Sequence, residues 1–321
     1  MVNLSFSPFL IINPGSGGGK GQALINKLKS QIDHQDIAIK YHDITFAPLN
    51  TCFEEIRNSS CILIAGGDGT VSKVVSELSA FKLPIGIIPL GTGNDLARTL
   101  GVTKKFDFLD LKALMSFFEK AATVELQTWD LFYGAELKEK VTFCNYASFG
   151  FDGTVIRKFD RLRNSPFYFA DRFGRYGNRA AYVALSLVNT FSHRRFNIVI
   201  KRASEKGEFK AQNIRTLLFA NIRAVVGVGE SNLISNPADN LIELLLLKNY
   251  SQYLPYVFGH KFMECGPSLI GSESEWQIEF PEPSEGQIDG EPFTATGNTI
   301  RISPGHQQSF LSPLRAGGVW S

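Results

Sequence analysis

The chain is poor in the features of a secreted or membrane-spanning protein. Its 321 residues hold four cysteines, Cys52, Cys61, Cys144 and Cys265, and no CxxC pair. A disulfide framework or thiolate metal cluster needs closer spacing, so free thiols in a reducing cytosol are expected. No apolar run approaches the ~20 residues of a membrane-spanning helix. The start, "MVNLSFSPFL", has no charged segment followed by a long apolar one, so no signal peptide is expected. Two familiar nucleotide signatures are missing as well. Counting back from Lys20 in "INPGSGGGKGQ" puts Pro14 at the first glycine position of the G-x-x-x-x-G-K-[ST] phosphate loop. Gly21 then stands where Ser or Thr is required. The dinucleotide pattern G-x-G-x-x-G fails in that stretch, and again around Gly67 and Gly91.

What is present describes an ordinary globular chain, 44% hydrophobic and 20% charged, long enough for two domains. The first third alternates strand-like apolar runs ("PFLIINP", "IAIKYHDITF", "CILIAGG", "PIGIIPLGT") with helical periodicity ("KGQALINKLKSQI", "TCFEEIRN", "VSKVVSELSAF", "GNDLARTLG"). Near-continuous apolar strands between helices predict a parallel sheet covered on both faces. From about Glu125 short strand-like segments crowd together, "KVTFCNYASFGF" and "EFKAQNIRTLLFANI" among them, and only "NRAAYVALSLVNTF" reads as a helix. That texture predicts an antiparallel sandwich. The expected division is 1–123 and 124–306, with 307–321 packing back on the first domain.

Glycine-rich turns follow three of the four early strands: "NPGSGGGKG", "GGDGT" and "PLGTGND". Parallel strands bring their C-terminal ends to one edge, where open α/β sheets bind ligands. Free N–H groups at helix starts make an anion site there whatever the exact pattern. Ser16, Thr70, Thr92, Asn94 and Asp95 add hydroxyl, amide and acid groups.

These motifs, with "NYASFGFDGTV", "NPADNLIELLLL" and "QIDGEPF", resemble the diacylglycerol kinase catalytic-domain family. That family includes soluble bacterial lipid kinases and is related to sphingosine and ceramide kinases. GGDGT alone also suits the distantly related NAD kinases, which lack the GTGND run found here. The resemblance implies an α/β nucleotide domain of NAD-kinase-like type and a β-sandwich lipid-acceptor domain. It implies transfer of the ATP γ-phosphate to a lipid hydroxyl, diacylglycerol or a related glycerolipid, in phospholipid metabolism. Asn13, Pro14, Gly15, Ser16 and Gly17 would touch the nucleotide phosphates, as would Gly66, Gly67, Asp68, Gly69 and Thr70, with Thr45, Thr92 and Asn94 beside them. Glu291 and Asp289 match the catalytic carboxylates, and Asp68 is a further candidate base or Mg²⁺ ligand. A structural cation would take Asp239 with the carbonyls of Asn236 and Leu241; an Asx turn is the competing reading.

From Arg157 to Arg202 eleven Lys or Arg stand against two acids, interleaved with aromatics. Given the family, this stretch is expected to touch anionic membrane surfaces peripherally, from the cytoplasm and without nucleic acid as partner. A homodimer is left open. The competing readings are a kinase of a soluble acceptor and a non-catalytic nucleotide or lipid sensor.

Overall fold

The structure, a computed structural model, describes residues 6–33, 39–91, 93–102, 107–163, 165, 174–190, 195–204, 207–224, 234–252 and 267–313. The described residues up to Leu126, with those from Gln307 onward, form one compact unit, and Gln127–His306 form another.

The first unit contains β1 (Pro8–Ile12), α1 (Lys20–Asp33), β2 (Lys40–Asp43), α2 (Phe53–Arg57), β3 (Cys61–Gly66), α3 (Asp68–Glu77), β4 (Ile85–Pro89), α4 (Asp95–Thr99) and α5 (Leu111–Glu119). Its strands are parallel in the order β2-β1-β3-β4. β3 is buried at every position, which is why it reads as an unbroken apolar run. On one face Leu10, Ile12, Leu63, Ala65 and Ile88 pack with Leu24, Ile25 and Leu28 of α1 and Leu111, Leu114 and Phe118 of α5. The alternate residues Phe9, Ile11, Ile62 and Ile64 are buried toward the other.

The second unit is built from β5 (Ala122–Tyr133), β6 (Glu139–Phe143), β7 (Tyr146–Gly150), α6 (Phe151–Arg163), α7 (Gly174–Asn189), β8 (Phe196–Arg202), β9 (Glu208–Ile214), β10 (Thr216–Ala220), β11 (Ile242–Leu247), β12 (Ser268–Glu273), β13 (Trp276–Glu279), β14 (Glu285–Ile288), β15 (Glu291–Thr294) and β16 (Thr299–Ser312). β5 leads into it and β16 leads out, Phe310 pairing in parallel with Ile85 of β4. One antiparallel set runs β16-β13-β8-β9, with β5 against β16 and β6. The other runs β12-β11-β10-β7-β14-β15. Trp129, Phe143, Phe149, Phe219, Trp276 and Ile300 share the core between them. The far face of the second sheet meets the helices, where Leu218, Ala220, Leu245 and Leu247 pack with Phe151, Val155 and Tyr182. Both faces of β10 are therefore covered, and all five of its residues are buried.

Two expectations of local structure change here. The run "KVTFCNYASFGF" is two strands broken at Cys144 and Asn145, and a second helix, α6, begins at Phe151. Only its N-terminal end is buried, through Phe151, Asp152, Gly153 and Val155. The apolar face is too short to give a strong 3.6-residue period. "EFKAQNIRTLLFANI" likewise splits into β9 and β10, in different sheets, beside Asn213 at φ 56°.

Candidate active site

Parallel register carries the early glycine turns to one edge of the first sheet. Ile12 lies opposite Asp43 and Ala65, and Gly66 opposite Pro89, so each strand ends at the same level. The chain leaves β1 for β2 on one side and returns to β3 on the other, which makes the gap between β1 and β3 a topological switch point. Asn13 spans it. Its N–H donates to the Ala65 carbonyl at 3.0 Å, and its Nδ2 donates to the Thr70 hydroxyl at 3.0 Å. Its Oδ1 accepts from the Gly15 N–H at 3.1 Å.

The loop after Asn13 turns on Gly17, Gly18 and Gly19, at φ 67°, 65° and 92°. Ser16 N–H closes on the Asn13 carbonyl and Gln22 N–H on the Pro14 carbonyl. A Cβ at Gly17 would lie 2.2 Å from the Leu90 carbonyl oxygen, so only glycine fits. No hydrogen bond engages the amides of Gly17, Gly18 and Gly19 among the described residues. Gly67, Gly69 and Thr70 supply the first-turn donors of α3, which a helix cannot satisfy internally. The second and third turns touch: a Cβ at Gly91 would lie 2.7 Å from Gly67 Cα. Asn94, left-handed at φ 55°, donates from Nδ2 to the Gly91 carbonyl at 2.6 Å, and its buried Oδ1 has no partner among the described residues. Unpaired amides on glycines fit a polyphosphate, and the lone acceptor beside them suits a cation that accompanies it.

Asp68 is engaged differently from the amides around it. Its carboxylate accepts from the Asp95 N–H at 3.0 Å and the Leu96 N–H at 3.2 Å, tying the start of α3 to the start of α4. Asp95 in turn pairs with Arg98 at 2.8 Å. Thr45 stands after β2, where its N–H and hydroxyl both donate to Asp43 Oδ1, at 2.8 and 2.7 Å. Thr92 lies outside the described residues.

In the second unit Asp289 and Gly290 form a two-residue hairpin turn between β14 and β15, with Ile288 opposite Glu291. Both turn residues have positive φ, 48° and 87°, the geometry that Asp-Gly favours. Asp289 is buried, and its carboxylate accepts three backbone N–H bonds, from Cys144 at 2.8 Å, Asn145 at 2.8 Å and Tyr146 at 2.9 Å. The carboxylate thus clamps the β6–β7 turn onto the hairpin. Glu291 is solvent-exposed by surface area. Even so, partial loss of water around its carboxyl raises its pKa; Arg163 opposes that rise and Asp160 adds to it.

Asp239 lies in an Asx turn, Oδ1 accepting from the Leu241 N–H at 2.9 Å while its own N–H donates to the Asn236 carbonyl at 3.2 Å. Dehydration pushes its pKa up. Nearby Glu243 is buried, with Oε2 unpaired among the described residues. Burial raises its pKa, hydrogen bonds to Ser235 and Ser272 oppose that, and Asp239 adds to it. Folding thus makes Glu243 hold a proton that the unfolded chain loses first. Its contribution to stability falls as pH climbs from the ordinary carboxylate range through the raised pKa. In metal-free buffer Glu243→Gln is expected to raise the melting temperature at pH 7 and to leave it unchanged near pH 4. Among the described residues, no three His, Cys, Asp or Glu side chains cluster to hold a metal.

Of the basic stretch, Lys158, Arg161 and Arg163 are exposed on α6. On α7 Tyr182, Ser186 and Asn189 are buried, while Leu187 and Val188 are exposed. Residues 166–173 and 191–194 lie outside the described residues, as do the side chains at 174–176 and 179. No described helix is long and apolar enough to cross a membrane.

An α/β unit with a glycine-lined rim, followed by an antiparallel sandwich, is a fold shared with solved bacterial proteins. A diacylglycerol kinase structure from Bacillus anthracis str. Sterne matches with TM-score 0.62 at 15% identity, covering 97% of this chain and 98% of that one. A second structure from the same organism matches with TM-score 0.66 at 20% identity, covering 97% of each chain. The diacylglycerol kinase catalytic domain model matches residues 7–126, and the diacylglycerol kinase accessory domain model matches residues 142–292. The chain belongs to the diacylglycerol kinase family. Human diacylglycerol kinase zeta is 32% identical over 188 residues, 52% of this chain and 20% of that protein. Arabidopsis thaliana diacylglycerol kinase 3 is 27% identical over 230 residues, 54% of this chain and 47% of that protein. The chain therefore spans about a fifth to a half of the length of these curated relatives.

Proposed function

We propose that this protein is an ATP-dependent lipid kinase, moving the γ-phosphate of ATP to a hydroxyl of diacylglycerol or a related glycerolipid. The observation that carries the reading is the Asn13–Thr70 hydrogen bond across the switch point, flanked on both sides by unpaired glycine amides. Gly17, Gly18, Gly19, Gly67, Gly69 and Thr70 hold phosphate oxygens with N–H groups. Gly15 and Ser16, whose N–H groups already bond Asn13, shape the turn with Asn13, Pro14 and Gly66. Bound Mg²⁺ would neutralise phosphate charge, and the Asn94 Oδ1 and Asp68 oxygens would be acceptors for it. The base is assigned to Glu291, because Asp289 already accepts three amides and Asp68 two. Glu291 takes the proton of the lipid hydroxyl as the hydroxyl oxygen bonds to the γ-phosphorus and the bond from that phosphorus to the bridging oxygen of the leaving ADP breaks. The raised pKa of Glu291 suits that role. The exposed cations of α6 and the apolar Leu187 and Val188 of α7 favour an anionic membrane surface as the place where the lipid is met.

The test is incubation with labelled ATP and mixed lipid extract in detergent micelles. Label entering lipid with wild type and not with Glu291→Gln is expected. Label entering only NAD or a soluble polyol, or ATP binding without turnover, overturns the reading. Gly17→Ala forces a side chain onto φ 67° and the Leu90 carbonyl. It should weaken binding of a fluorescent ATP analogue roughly tenfold or more. For a structural cation, Asp239 and the Asn236 and Leu241 carbonyls supply oxygen donors suited to Mg²⁺ or Ca²⁺. Added Mg²⁺ should then raise the melting temperature of wild type and not of Asp239→Ala.

A further inference from the structure

The hairpin that carries Glu291 ends a buried hydrogen-bond relay whose direction can be deduced link by link. Gly290 N–H donates to Gln287 Oε1 at 2.8 Å, and Gln287 Nε2 donates to Ser148 Oγ at 2.9 Å. Ser148 Oγ donates to Asp152 Oδ2 at 2.5 Å, and Tyr182 Oη donates to Asp152 Oδ1 at 2.5 Å. Gln287, Ser148 and Asp152 are 1%, 0% and 1% exposed, so water cannot substitute for a missing partner.

The order of donors follows from one fixed fact. A backbone N–H can only donate, so Gln287 must turn its oxygen to Gly290 and its NH₂ to Ser148. Ser148 must then accept, and its single hydrogen goes to Asp152. Asp152 accepts at both oxygens. β7 and β14 supply the geometry: Gln287 and Ser148 are cross-strand partners, on the face that packs against α6 and α7. Close backbone packing holds α6 on β14, since a Cβ at Gly153 would lie 2.4 Å from Gly286 Cα.

The geometry points to Asp152 as a positioning residue for Glu291, acting through Ser148 and Gln287 on the Asp289–Gly290 turn. This rests on the assignment of Glu291 as base. Asp152→Asn leaves one side-chain oxygen for two hydroxyl donors; with that oxygen kept on Tyr182, the NH₂ faces Ser148, whose hydrogen turns toward Gln287. The Gln287 amide then flips and sets its NH₂ against the Gly290 N–H, two donors face to face. The turn shifts and Glu291 shifts with it. Gln287→Glu in the same chain reverses the polarity consistently. The introduced carboxylate would accept from both Gly290 and Ser148. Ser148 would accept from the NH₂ of the introduced asparagine, whose side-chain oxygen would accept from Tyr182.

Lipid phosphorylation by the full-length protein is measured for wild type, Asp152→Asn, Asp152→Asn/Gln287→Glu and Glu291→Gln, each below its melting temperature. Asp152→Asn should lower kcat about ten- to a hundredfold, move the acidic limb of the pH–rate profile and leave KM for ATP unchanged. The double variant should return kcat and the limb to wild-type behaviour. A purely structural Asp152 would change the melting temperature but neither kcat nor the limb, and that result overturns the inference. So does a folded double variant with kcat still low, or failure of both variants to fold, which would make the relay a folding element. Full activity in Glu291→Gln instead defeats the base assignment, and the inference with it. Loss in Glu291→Gln with an unchanged Asp152→Asn defeats the positioning role alone.

Discussion

Glu291→Gln should cut lipid phosphorylation roughly 10²- to 10⁴-fold while leaving the protein folded. A positioned proton acceptor contributes roughly 10²- to 10⁴-fold to such a step, and glutamine keeps the shape of glutamate without its basicity. Glu291 is exposed, and among the described residues no hydrogen bond or ion pair ties its side chain to the protein. Stability should therefore change by no more than about 0.5 kcal/mol. The pH dependence supplies a second readout. Loss of hydration raises the pKa of Glu291, and a base works only when deprotonated. Wild-type kcat should therefore fall, as pH is lowered, at a pH above the ordinary glutamate range of about 4.3. The residual activity of Glu291→Gln should lack that limb. Steady-state assays across pH, with thermal melts at each point, check both. A glutamine variant that keeps the limb and most of kcat would return the base to Asp289 or Asp68.

Asp289→Ala should have the opposite character, a large loss of stability that reaches activity only through the fold. Removing the carboxylate strands three amides, at Cys144, Asn145 and Tyr146, whose residues are 2%, 0% and 6% exposed. Each orphaned N–H costs about 1–3 kcal/mol, and a side chain at φ 48° without Asp's local bonding adds about 1 kcal/mol. Against a typical stability of about 5–15 kcal/mol, the alanine variant should melt at least about 10 °C lower or fail to accumulate. Asp289→Asn separates the two contributions. Asparagine tolerates the left-handed turn and still accepts through one oxygen, but it sets an NH₂ against one donor. Its melting temperature should lie between those of wild type and the alanine variant. Equal melting of all three proteins would show that the Asp289 carboxylate does not clamp the β6–β7 turn.

Much of the first unit is legible in the sequence because its forces are local or periodic. Strands buried on both faces must be apolar throughout, and Cys61–Gly66 and Ile85–Pro89 are. Turns that bend sharply or meet another backbone must be glycine, as Gly17 and Gly91 are. The α6 helix is hidden for the converse reason: most of its length is solvated, so burial imposes little pattern on it. The carboxylates are the hardest to read. An acid beside a strand end looks alike whether it awaits a cation, abstracts a proton or caps a helix. Asp68 meets Leu96 across 28 positions, and Asp289 meets Cys144 across 145.

The order of residues alone thus established a covered parallel sheet, glycine-rich turns along its rim, an all-antiparallel second half and the family to which they belong. Which acids are already spoken for by backbone amides, and that Asp152 shares a hydrogen-bond relay with the Glu291 hairpin, only the folded chain decided. Hydrophobic pattern and turn chemistry are written in neighbouring residues. A buried hydrogen bond depends on which distant N–H arrives at the oxygen, and no local pattern records that.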